Sequence, residues 1–177
     1  MSVKVVVING APGSGKTTFE YMCQRLCNPL EDENKNLEVD IYSTVDFVKY
    51  LAALSGWDGT KTPKNRKFLS DLKDLLTEWN DVPFRKVEEV VKVKACDKAT
   101  DWILFVDCRE PKEIQKLKEQ LGGVTVFIQR ESAEDSETSN HADANVYDFD
   151  YDIYIDNNGS LQDLEYTASD FLDNLLV

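Results

Sequence analysis

The chain has 177 residues, 42% of them hydrophobic and 30% charged, enough for one compact domain with its own core. Twenty Lys and Arg against 33 Asp and Glu give a formal charge of −13 and a pI near 4.5. This excludes a chain that coats nucleic acid, since that work needs a dense basic face to displace phosphate counterions. The N-terminal apolar run Val5-Val6-Val7-Ile8 is too short for a signal peptide or a membrane span, so a cytoplasmic location without membrane contact is expected.

Five short segments rich in β-branched residues and bounded by turn formers predict strands: Val3 to Asn9, Glu38 to Tyr42, Trp102 to Val106, Val124 to Ile128 and Asp152 to Ile155. Helical spacing fills the intervals. Phe19, Met22, Cys23 and Leu26 form one apolar face, and Phe47, Val48 and Leu51 a second. The clearest stripe is Phe68, Leu69, Leu72, Leu75, Leu76 and Trp79, broken at Pro83 and followed by Val87, Val90 and Val91. Trp79 on that stripe, and Trp102 at a strand start, read as core residues. A helix from Glu113 to Leu121 stops at Gly122-Gly123, and the last runs from Ser160 to Leu176 behind the capping pattern Ser160-Leu161-Gln162-Asp163.

Strands alternating with helices predict an α/β fold: a five-stranded parallel sheet flanked by helices in three layers, with ligands at the carboxyl ends of the strands. One domain spans 1–177, its acceptor-side helices lying at about 43–98. The polar stretch 130–150 has no periodicity and a length at which loops tend to be functional, so it is a candidate lid. His141, within it, reads as a surface residue. Cys23, Cys27, Cys96 and Cys108 form no CxxC pair, and His141 is the one histidine, so the thiols read as reduced core residues rather than zinc ligands.

The chemistry concentrates in Gly10-Ala11-Pro12-Gly13-Ser14-Gly15-Lys16-Thr17, which matches G-x-x-x-x-G-K-[ST] between an apolar strand and an amphipathic helix. In such a loop, glycines let amide groups curl around phosphate, and Lys16 reaches the β- and γ-phosphates. Thr17 offers its hydroxyl to Mg²⁺. The expected ligands are therefore ATP and Mg²⁺.

Ile103-Leu104-Phe105-Val106-Asp107 is an apolar strand ending in an acid suited to a metal or an attacking oxygen, and Arg109 two residues on adds a guanidinium at the same sheet edge. Arg130, after the fourth strand, reads either as a charge stabiliser on the γ-phosphate when the lid folds down or as a solvated strand-end arginine. Lys61, Lys64, Arg66 and Lys67 form the one dense basic stretch, with Arg66 the preferred ligand for an acceptor phosphate. In an acidic chain that binds anions, such cations must gather where the phosphates sit. Ser43 and Thr44, at the end of the second strand, read first as helix caps and second as acceptor contacts.

These residues together resemble the P-loop nucleoside monophosphate kinases, and within them the phage-type deoxynucleoside monophosphate kinases, with dephospho-coenzyme A kinase and animal phosphomevalonate kinase as relatives. Four elements carry the resemblance: Gly10 to Thr18, Asp107-Cys108-Arg109, Val124 to Arg130, and Ile155 to Leu161. It implies that Asp156, Asn157, Asn158 and Gly159 lie against the adenine of ATP. It also implies transfer of the γ-phosphoryl group of Mg-ATP to a small phosphorylated acceptor such as a (deoxy)nucleoside monophosphate, by a monomer or homodimer.

Two other readings compete. A GTPase needs a base-reading Asn-Lys-x-Asp, and Asn34-Lys35-Asn36-Leu37 lacks the acid. The second is a P-loop module that binds ATP without turnover and acts as a scaffold or regulator.

Overall fold

The computed structural model describes residues 2–27, 36–134 and 147–176. Five strands form one sheet: β1 (Val3–Asn9), β2 (Leu37–Ser43), β3 (Asp101–Asp107), β4 (Val124–Gln129) and β5 (Ile153–Asp156). Their spatial order is β2-β3-β1-β4-β5, every neighbouring pair parallel. The chain leaves β1 towards one edge and leaves β3 towards the other, so the order reverses beside β1. At such a reversal the carboxyl ends of the strands open a crevice.

The alternation of side chains along each strand explains the three layers. Val6, Ile8, Ile103, Phe105, Val126 and Ile128 point to one face, where α1 (Lys16–Leu26) and the C-terminal helix (Leu161–Leu176) cover them. Phe19 of α1 meets Phe105 edge-on at 6.3 Å and Phe171 at 5.4 Å. Val5, Val7, Leu104, Val106 and Phe127 point the other way, onto α4 (Val82–Cys96) and α5 (Pro111–Leu121). Strands buried on both faces read as continuous apolar runs, which is why β1 and β3 stand out in the sequence.

Three helices occupy the remaining intervals: α2 (Asp46–Leu54), α3 (Pro63–Asn80) and the four-residue α6 (Glu131–Glu134). The C-terminal helix is therefore α7. Its expected cap is present: Ser160 Oγ donates to Asp163 Oδ2 at 2.7 Å and accepts from the Asp163 amide at 3.3 Å.

The structure corrects four sequence expectations. Cys96 is exposed, whereas Cys23, Cys27 and Cys108 are buried as expected of core thiols. Trp79 is 79% exposed rather than core, and α3 has no buried residue along its 18, because the helix stands outside the layers. The break between α3 and α4 falls at Asp81, whose φ of 51° is left-handed; Pro83 lies in the first turn of α4, where its missing amide costs nothing. Ser43 and Thr44 are not side-chain caps of α2, which begins after Val45 without one; instead Asp46 Oδ2 accepts the Ser43 amide at 2.8 Å. Of the candidate lid 130–150, residues 135–146, His141 among them, lie outside the described residues.

Candidate functional site

The phosphate loop follows β1 directly. Gly10 sits where a Cβ would come within 2.6 Å of the Ile128 carbonyl oxygen, so only glycine lets the chain turn between the ends of β1 and β4. Gly15 has φ 95° and is the N-cap of α1, with no side-chain cap bond. A Cβ there would stand 2.1 Å from Asn157 Nδ2.

Several features suit this loop to phosphate. The first turn of α1 holds no acidic residue, and its leading amides have no partner inside the helix, which leaves them for an anion. Ser14 Oγ is buried without a hydrogen-bond partner, as expected of a hydroxyl that completes its bonding with a ligand. Lys16 and Thr17 leave the same turn towards the end of β3.

Lys16 Nζ contacts Asp107 Oδ1 and lies 3.8 Å from Glu20 Oε2 one helical turn below. Burial is the main cause holding the Lys16 ammonium below the usual lysine range; Glu20 opposes it, while Arg109 and Lys49 reinforce it. Burial also raises the Glu20 carboxyl, against the attraction of Lys16. Glu20 carries no signal in the sequence beyond its place four residues after Lys16, which puts both on one helix face.

A cavity of about 530 Å³ opens beside this pair. Its walls come from the ends of β2 and β3, from α2 and from α3, and they bring together the predicted Lys16, Thr17, Ser43, Thr44, Arg66, Asp107 and Arg109. Lys49, Lys61 and Lys73 join them, so six basic side chains face the cavity against the carboxylates of Asp46, Asp74, Asp107 and Glu110. In a chain of charge −13 this is the expected gathering of cations. Burial first, and then the nearby Arg66, lower the Arg109 guanidinium from its ordinary value. Two guanidiniums held close enough to oppose each other suit a bidentate anion between them.

Lys49 and Lys73 carry no signal in the sequence. Lys49 pairs with Asp46 at 3.0 Å and Lys73 with Glu113 at 2.8 Å, and both resemble ordinary surface lysines until the helices are placed.

The turn after β5 packs against the phosphate loop. Asn157 is buried and donates Nδ2 to the Ser14 carbonyl at 2.7 Å, while its main-chain amide donates to Gln129 at 2.9 Å. Asn158 Oδ1 accepts the Glu131 amide at 2.9 Å; Asp156, Asn158 and Gly159 are exposed. Arg130 is exposed at the end of β4 and does not line this cavity.

For a divalent metal beside the glycine loop, the Thr17 hydroxyl and the Asp107 carboxylate, both on the cavity wall, would be the protein ligands. No group of three or more His, Cys, Asp or Glu able to hold a metal occurs among the described residues. This donor set suits Mg²⁺, which is held through one or two protein oxygens plus phosphate and water. No described helix is long and apolar enough to cross a membrane.

No protein-family model and no curated protein sequence matches the chain. Solved structures do. A thymidylate kinase from Ehrlichia chaffeensis superposes with TM-score 0.51 at 12% identity, covering 97% of this chain and 100% of that one. The protein TT1252 from Thermus thermophilus gives 0.52 at 14% identity, covering 99% of each. With the strand order, helical layers and glycine loop described above, these similarities establish the architecture: the chain has the three-layer P-loop NTPase fold, a five-stranded parallel sheet flanked by helices.

Proposed function

We propose that the protein is an ATP-dependent phosphotransferase that moves the γ-phosphoryl group of Mg-ATP to a small phosphorylated acceptor. The observation that carries this reading is the single cavity in which Arg66 and Arg109 stand beside Lys16, Thr17 and Asp107. A nucleotide-binding module needs the loop alone; a phosphotransferase also needs a second anion site facing it.

In the proposed reaction, an oxygen of the acceptor phosphate attacks the γ-phosphorus in line. The new P–O bond forms as the bond to the β–γ bridging oxygen breaks, and ADP leaves with that oxygen. The amides of the Gly10–Thr17 loop and Lys16 hold the donor phosphates, and Arg66 and Arg109 hold the acceptor phosphate. Thr17 and Asp107 would hold Mg²⁺, which when bound would neutralise negative charge on the donor phosphates. Catalysis of this kind is positioning plus electrostatics, with little covalent work for the protein. Ser43 and Thr44 line the acceptor side, Asp156 to Gly159 the adenine side, and Arg130 is assigned to the γ-phosphate from the β4 end.

A (deoxy)nucleoside monophosphate is the acceptor that the sequence resemblance implies. The test is ADP formation from ATP and Mg²⁺ with each of a panel of nucleoside monophosphates and other phosphomonoesters. Acceptor-dependent ADP supports the reading. ATP binding with no acceptor-dependent ADP across the panel would leave the non-catalytic scaffold or regulator.

A further inference from the structure

Asn9, the last residue of β1, is wholly buried where the four residues before it are Val or Ile. A buried amide is costly unless its groups find partners, and Asn9 finds them on three segments. Its Oδ1 accepts the Gly10 amide at 2.8 Å. Its Nδ2 donates to the Tyr151 hydroxyl at 2.8 Å and faces the Arg109 carbonyl at 3.5 Å. One side chain thus joins the first residue of the phosphate loop, the backbone of the acceptor-side arginine, and the segment that leads into β5.

Tyr151 is itself fixed. It is 5% exposed, its ring packs against Phe127 at 4.9 Å and Phe149 at 5.0 Å, and its amide donates to the Tyr154 hydroxyl at 3.1 Å. The hydroxyl therefore stands at a determined place at the foot of the crevice. A valine at position 9 would extend the core and leave the Gly10 amide and the Arg109 backbone unlinked.

We propose that Asn9 and Tyr151 are positioning residues for the transfer: they set the spacing between the loop that holds the donor phosphates and the backbone that carries Arg109. This rests on the phosphotransferase reading. The pair touches neither reactant, yet a displacement of about 1 Å at such a distance can cost on the order of a hundredfold in rate.

The test compares the full chain with Tyr151→Phe, which keeps the ring and deletes the hydroxyl, with Arg109→Ala, and with the double variant. Turnover, KM for ATP and melting temperature are measured for each. The expected result is a fall of roughly tenfold in kcat for Tyr151→Phe with KM for ATP within about twofold, and no further fall when it is added to Arg109→Ala. Unchanged kcat, or losses that multiply in the double variant, would overturn the proposal. If Tyr151→Phe does not fold, Asn9→Asp serves: its second oxygen can only accept, so the bond to the Tyr151 hydroxyl reverses direction and the Arg109 carbonyl is repelled; the same loss in kcat is expected and full activity contradicts it. A wild-type chain inactive with every acceptor fails at the earlier step, the phosphotransferase reading itself, and removes the positioning role with it.

Discussion

Asn157 Nδ2 donates to the main-chain carbonyl of Ser14 at 2.7 Å, which ties the turn after the last strand to the middle of the phosphate loop. Asn157→Ala leaves that carbonyl without its partner, a loss of about 1–3 kcal/mol for a buried group. For a chain of this length each kcal/mol is worth roughly 2–4 °C in melting temperature. A fall of that order is expected in a thermal melt, with weaker ATP binding by calorimetry because the loop loses its support. An unaltered melt and affinity would show the bond to be incidental.

Gly15→Ala meets two obstacles at once. Its φ of 95° disfavours any side chain, and the new methyl would collide with Asn157 Nδ2. ATP affinity is expected to fall by at least tenfold, at a strain cost on the order of 1–3 kcal/mol. Adding Asn157→Ala removes the collision and leaves only the backbone strain, so the double variant is expected to lose less than the sum of the single losses. Simple additivity would count against the contact.

Glu20 gives a pH test. Burial raises its carboxyl above the ordinary 4.5 in the folded chain, so ionising it costs more folded than unfolded. That penalty is absent below 4.5 and complete above the folded value. Glu20→Gln removes it, and Lys16 keeps Asp107 as a partner. The variant is expected to melt a few degrees above wild type at neutral pH, about 2–4 °C per kcal/mol gained, with the gap closing as the pH falls to 4.5. A gap that persisted below 4.5 would assign the difference to packing instead.

The four thiols separate by burial. Cys23, Cys27 and Cys108 are buried and Cys96 is exposed, and burial pushes the Cys23 thiol up to about 12. A thiol reagent at neutral pH is expected to label Cys96 rapidly in the folded protein and the others only after denaturation, since the thiolate is the reactive form. Rapid labelling of Cys23 would contradict the packing of α1.

The layers were legible in the sequence because burial on both faces leaves a continuous apolar run. Val5 to Ile8 and Ile103 to Val106 are short, rich in β-branched residues and bounded by turn formers, which marks them as strands, and the glycine loop marks the carboxyl end of the first. Trp79 shows where that logic stops. Its stripe has the helical period, but period reveals an apolar face and not how deeply it is covered; in the structure Leu69, Leu72 and Leu76 are only half-buried and no residue of α3 is fully buried. Trp79→Ser is accordingly expected to change stability by no more than about 0.5 kcal/mol, whereas Phe105→Ala costs about 3–5 kcal/mol.

The candidate site divides in the same way. Lys16, Thr17, Asp107 and Arg109 were readable from short motifs because one loop and one strand end fix them. Lys49, Lys73, Glu20, Asn9 and Tyr151 were not, since each gains its place only when helices or segments distant in sequence meet. Arg66 was singled out by charge in an acidic chain, and the fold sets it beside Arg109.

On the proposed function, the γ-phosphoryl group passes to an acceptor phosphate held by Arg66 and Arg109. The direct measurement follows the label of γ-labelled ATP through turnover with Mg²⁺ and a phosphomonoester acceptor, for wild type and for folded Lys16→Ala. Label is expected in the acceptor as a new phosphoanhydride, formed by wild type and lost in the variant. Label released only as inorganic phosphate, or equal transfer by Lys16→Ala, would contradict it.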